Sequence, residues 1–282
     1  MNLLLSAFAD ESCDGFFGQI DALKRNALGY LEIRNLDGMN VSKLTLERAR
    51  EIRNILDGEG LGVWSVGSPI GKIQISDDFE AHMDLYRHTL DVAGELGAGN
   101  IRLFSFFMPK GEDPGQYKNL VLERMARFAE TAKPYGVNPC HENEKGIYGD
   151  IASRCLEIHQ AVPGLKAVFD PANFVQCGQD TLEAWKLLSP YVHYLHIKDA
   201  LANGQVVPPG KGLGNVPTIV GNYLAQGGKA ISLEPHLYEF VGLKSLEQEG
   251  DESVVGAMAF ADAPAAFDFA VNTFKTILEG IL

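Results

Sequence analysis

Three carboxylates and one imidazole close four successive apolar runs in the second half of the chain. Glu142 ends VNPCHE, Asp170 ends KAVFD, His196 ends VHYLH and Glu234 ends AISLE. The intervals between them, 28, 26 and 38 residues, each leave room for a strand, a turn and a helix. Period-2 alternation puts Cys140 with Glu142, Val168 with Asp170, Tyr194 with His196 and Ser232 with Glu234 on the inward face of each strand. Three like charges crowded into a low-dielectric pocket repel one another unless a cation joins them, so the cluster predicts a divalent metal. A donor set of mostly oxygen with one nitrogen suits Mn²⁺ first, then Mg²⁺, Co²⁺ or a catalytic Zn²⁺, and the lack of thiolates argues against a structural zinc. Any one of these acids alone would read as the start of a solvated loop. Four coincident strand ends favour a site.

Bringing the four groups together requires parallel strands whose C-terminal ends share one face. The chain alternates short apolar or β-branched runs with longer amphipathic segments. The runs are residues 3–9, 30–34, 62–66, 100–104, 137–142, 166–170, 192–196 and 230–234. Between them lie segments such as SKLTLERAREIRNIL, in which Leu44, Leu46, Ala49, Ile52 and Leu56 fall near one helical face. Eight βα units in 282 residues match a (β/α)8 TIM barrel of class α/β, one domain over 1–282. A doubly wound sheet would show a Gly-rich nucleotide turn early, and no GxGxxG follows the first run.

Composition narrows the partners. Hydrophobic residues at 46% and charged residues at 22% leave enough apolar side chain for a large core and exclude a disordered or fibrous chain. A net charge of −13 repels nucleic acid and anionic membrane surfaces, so neither is expected as a partner. The four cysteines form no CxxC pair, and MNLLLSAFADES lacks the basic start of a secretory signal, which together point to a cytoplasmic protein. Residues 239–260, with Gly242, Gly250 and Gly256, are long for a barrel loop and are read as a candidate lid.

The strings HENEKGIYGD, FDPANF, YLHIKDA and SLEPHL, in that order, together with FADE, YLEIRNLDG and GSPIGK, resemble the xylose-isomerase-like sugar phosphate isomerase/epimerase superfamily from the first strand through the eighth. The resemblance implies that Glu142, Asp170, His196 and Glu234 bind one divalent ion. It further implies a metal-dependent isomerase or epimerase of a keto sugar or sugar phosphate, working through a stabilised enediolate. Glu142 and Glu234 would then flank the substrate as catalytic residues, one removing a proton and the other returning it.

Further residues near these strand ends are candidate substrate contacts: Arg34, Lys72 in SPIGK, Asn173, Lys198 and His236. Arg34 shares strand parity with Glu32, so an ion pair between those two is the competing reading. A dehydratase of a cyclic polyol or keto acid would use the same site and expel a hydroxyl. A sugar-binding protein without turnover is a third reading. Endonucleases resemble this barrel too, but they carry more histidines and a basic face, and Asn173 stands where those nucleases and some epimerases have His. A homodimer is the class-based expectation.

Overall fold

The computed structural model describes residues 3–241, 243, 255 and 258–282. All eight apolar runs are strands: β1 (Leu4–Ala7), β2 (Tyr30–Ile33), β3 (Gly62–Val66), β4 (Asn100–Leu103), β5 (Asn138–Glu142), β6 (Lys166–Phe169), β7 (Val192–Ile197) and β8 (Ala230–Leu233). They pair in parallel in sequence order and close, with Ser6 of β1 opposite Tyr30 of β2 and Leu4 opposite Ala230 of β8. This is the expected TIM barrel. Arg34, Asp170 and Glu234, which the sequence runs include, each stand directly after the last strand residue. The backbone leaves the ladder there, at the C-terminal rim where barrels of this kind build their sites.

The helices that cover the barrel are α1 (Phe16–Arg25), α2 (Leu46–Gly58), α3 (Phe79–Leu96), α4 (Lys118–Ala132), α5 (Ala152–Ala161), α6 (Pro171–Gln176), α7 (Thr181–Leu188), α8 (Val216–Ala225) and α9 (Ala263–Glu279). In α2 the buried stripe is Ala49, Ile52 and Leu56. Leu44 is buried too but precedes the helix, because the Thr45 hydroxyl accepts from the Arg48 N–H at 3.1 Å and sets the N-terminus. Asp78 caps α3 in the same way, and Gly97 at φ 69° ends it in the left-handed conformation that glycine tolerates.

Two apolar layers result. Outward-facing Ile33, Val66, Leu103, Leu195 and Leu233 pack with helix residues such as Ile52, Leu90 and Phe274, each such buried side chain contributing roughly 1.5–3 kcal/mol. Inside the barrel, Cys140, Val168, Tyr194 and Ala230 form a smaller plug with Leu4 and Trp64 against it. The Tyr194 hydroxyl donates to Glu32 Oε1 at 2.8 Å, which joins this plug to the polar mouth.

The loop after β7 is organised by one acid. Asp199 pairs in a short antiparallel ladder with Val207, and its carboxylate accepts the backbone N–H groups of Ala200, Gly210, Gly212 and Gly214 at 2.8–2.9 Å. A Cβ on Gly212 would lie 2.3 Å from Asp199 Oδ1, so only glycine lets the backbone come this close. Of the candidate lid, residues 242, 244–254 and 256–257 lie outside the described residues. Among the described residues, no helix is long and apolar enough to cross a membrane.

Candidate active site

Glu142 is the last residue of β5, His196 lies near the end of β7, and Asp170 and Glu234 follow β6 and β8. One ligand atom from each lies within 4.8 Å of the others, and all four residues are buried. Asp170 also caps α6, whose first residue is Pro171: Oδ1 accepts the Asn173 N–H at 3.0 Å. Its other oxygen, Oδ2, is buried without a hydrogen-bond partner, 3.2 Å from Lys198 Nζ. Glu142 Oε2 is likewise without a hydrogen bond, 3.2 Å from Arg102 Nη1. His196 turns Nδ1 to Glu142 Oε1 at 2.6 Å and to Glu234 Oε2 at 3.4 Å, while Nε2 meets Glu32 Oε2 at 3.1 Å. Two orphaned carboxylate oxygens, with an imidazole whose far nitrogen is anchored by a buried carboxylate, fit a divalent ion. Glu142, Asp170, His196 and Glu234 would hold it.

The charges around this cluster are interleaved. Burial alone would raise Glu234, but Lys198, His236 and His196 outweigh it and hold the carboxyl well below its usual range. Burial also raises Glu32, and His196 with Arg102 brings it below the ordinary value. Lys198 is pushed down by burial and more strongly up by Asp170 and Glu234, so it remains an ammonium. His196 is disfavoured as a cation by burial, yet Glu142 and Glu32 raise it well above the ordinary histidine value. Asp170 is pushed up to about 7 by burial, with Lys198 opposing and the Glu142 and Glu234 charges reinforcing the shift.

The remaining candidates gather at the same mouth. Lys198 Nζ stands 3.2 Å from Asp170 and 3.5 Å from Glu234. Lys72 Nζ meets Glu144 Oε2 at 3.1 Å and lies over the Phe104 ring. Asn173 Nδ2 donates to the Asn143 carbonyl at 2.9 Å, and Asn143 in turn exchanges two hydrogen bonds with the Asp170 backbone, so this pair fixes the β5 and β6 ends to each other. His236 sits at φ 48°, strained for a non-glycine residue, with its N–H donating to Glu11 Oε2 at 2.6 Å. Arg34 is fully engaged: Asp10 takes Nε and Nη2 at 2.9 and 3.0 Å, Glu11 takes Nη2 at 3.2 Å, and Glu234 takes Nη1 at 2.9 Å. The rings of Phe8 and Phe240 each stand 4.5 Å from its guanidinium carbon. The competing Glu32 and Arg34 ion pair is replaced by separate partners, His196 and Tyr194 for Glu32 and the three acids for Arg34.

Arg102 escaped the sequence reading. It projects from β4 to Glu142 Oε2 and to Glu234 Oε1 at 3.2 and 3.3 Å, linking the two glutamates. The available signal was a charge inside the apolar run NIRLF, a position where an unpaired arginine would be costly.

Residues 20–249 match the family described as xylose isomerase-like TIM barrel. The chain belongs to that family. No curated protein sequence matches it. Solved structures share the fold at low identity. L-ribulose 3-epimerase superposes with a TM-score of 0.77 at 17% identity, covering 100% of this chain and 96% of that one. A zinc-bound IolI protein gives 0.74 at 14% identity, with 99% of each chain covered. The probable 3-DHS dehydratase AsbF from Bacillus anthracis gives 0.73 at 16% identity, covering 98% of this chain and 99% of that one.

Two expectations follow for this xylose isomerase-like barrel. Glu32→Gln replaces the charged partner of His196 Nε2 with a neutral amide, so divalent-ion affinity is expected to weaken about 10–100-fold. Calorimetric titration with Mn²⁺ measures this, and an unchanged affinity would remove Glu32 from the site's support. The second concerns Glu11, which burial raises from 4.5 to about 8, with Arg34 pulling down and Glu234 and Asp10 adding to the rise. A carboxyl raised on folding stabilises the protein fully below its unfolded pKa, and that contribution is lost as pH climbs from 4.5 through about 8. Denaturation midpoints should therefore fall across that window, and less steeply in Glu11→Gln, whose amide does not ionise. Parallel curves for the two proteins would contradict this.

Proposed function

We propose that this protein is a divalent-metal-dependent isomerase or epimerase of a keto sugar or sugar phosphate, with Mn²⁺ the first ion to test. The observation that supports this most is the convergence of Glu142, Asp170, His196 and Glu234 within 4.8 Å, with two carboxylate oxygens lacking hydrogen bonds. When bound, such an ion supplies Lewis-acid stabilisation of the oxyanion that develops as a carbon next to a carbonyl loses its proton.

The chain's own groups would do the rest. Glu142 and Glu234 stand at the ends of two different strands, and one would take the proton and the other return it. Arg102, within 3.3 Å of both, holds them at a set separation. Glu32 keeps the Nε2 proton of His196 in place and thereby directs Nδ1 to the glutamates. Arg34, Lys72, Asn173, Lys198 and His236 line or brace the mouth, with Lys198 best placed to steady negative charge because it stands between Asp170 and Glu234. That same ammonium, beside two carboxylates, also favours a second reading, in which it hydrogen-bonds a departing hydroxyl, the carboxyl that took the carbon-bound proton delivers it to that hydroxyl, and the enzyme is a dehydratase.

The test is NMR of candidate ketoses in deuterated water with the protein loaded with Mn²⁺ and after chelation. Ion-dependent exchange of a carbon-bound proton with a new sugar as product supports the isomerase or epimerase. Loss of water in the product mass favours the dehydratase. Absence of ion-dependent exchange across a broad panel would reject both.

A further inference from the structure

Among the described residues, the buried lysine and arginine side chains are Arg34, Arg102 and Lys198, and Lys72 joins them with its side chain 5% exposed. All four point into the mouth, and each is ion-paired: Arg34 with Asp10, Glu11 and Glu234, Arg102 with Glu142 and Glu234, Lys198 with Asp170 and Glu234, and Lys72 with Glu144. Adding Glu32, held by His196 and Tyr194, seven acidic side chains face four basic ones. Each of the four already has a carboxyl oxygen within 3.2 Å.

A phosphate ester or carboxylate entering this mouth would gain one of these four side-chain cations only by competing with the acid that already holds it, and would meet that acid as a like charge. A hydroxyl group meets the opposite situation, since it is a donor and the mouth is rich in acceptor oxygens. We propose that the substrate is uncharged, a polyhydroxylated carbonyl compound bearing neither phosphate nor carboxylate. This rests on the proton-transfer reading above and narrows its substrate class. It selects the free sugar over the sugar phosphate and counts against a keto-acid substrate.

The experiment compares matched probes on the full-length Mn²⁺-loaded protein and on the chelated protein. D-Fructose is set against D-fructose 6-phosphate and D-fructuronate, and D-xylulose against D-xylulose 5-phosphate, with binding read by calorimetry and exchange by NMR in deuterated water. The expected result is that at least one neutral sugar binds and its charged counterpart binds about 100-fold more weakly. Glu144→Gln removes the carboxylate held by Lys72 and should narrow that gap about tenfold. A gap unmoved in Glu144→Gln would overturn ion pairing as its cause. Equal or tighter binding of the phosphate esters would overturn the proposal while leaving proton transfer standing, and so would failure of every neutral sugar to bind at about 10 mM. Neutral sugars that bind selectively but never exchange would support the charge assignment and reject the isomerase reading.

Discussion

Glu234→Gln is expected to lower kcat about 10²–10⁴-fold, the range that a positioned acid or base contributes. Glu234 is held as a carboxylate by Lys198, His236 and His196 despite complete burial, so it is in the proton-accepting form throughout the neutral range. Glutamine keeps the shape and one acceptor oxygen but cannot carry a proton. The same change removes one donor to the ion and one partner each from Arg34 and Arg102, so Mn²⁺ affinity should fall as well. Steady-state kinetics at saturating Mn²⁺ separates the two effects. A kcat within a factor of about ten of the wild type would remove Glu234 from the proton-transfer pair and leave Glu142 as the sole base.

Arg34→Met is expected to cost about 3–5 kcal/mol of stability, because it breaks a fully buried arrangement and leaves Asp10, Glu11 and Glu234 without their shared cation. For a chain of this length that is a fall in Tm of about 5–8 °C. Methionine keeps much of the packing between Phe8 and Phe240, so the loss reports the charges more than the volume. Combining it with Asp10→Asn should recover part of the loss, since Asp10 takes two of the guanidinium's hydrogen bonds and asparagine carries no charge to strand. Thermal unfolding of the single and double variants checks this. A raised KM at unchanged Tm would instead make Arg34 the substrate contact suggested by its place after β2.

Much of this site was legible before any fold was known, for a reason particular to parallel barrels. Buried strands must be apolar, so a polar residue that ends such a run stands out, and the C-terminal rim is where such residues collect. Glu142, Asp170, His196 and Glu234 carried that signature. Asp199 and Arg102 did not. Asp199 follows Lys198 in a charged dipeptide that reads as loop, and its role depends on three glycines that return to it 11–15 residues later. Arg102 lies on β4, a strand that ends in no acid or histidine, so nothing local linked it to glutamates 40 and 132 residues away.

Periodicity and strand-end chemistry by themselves determined the eight βα units, the class of fold and the four side chains at its centre, because strand alternation and helix spacing are local properties of a chain. What only the tertiary structure decided is who pairs with whom. Glu32 shares a strand face with Arg34 yet serves His196, and Arg34 reaches across to Asp10, Glu11 and Glu234. Barrel closure brings strands 2, 4, 5, 7 and 8 around one axis, and the cost of a buried unpaired charge then selects partners by distance in space, which no spacing along the chain encodes.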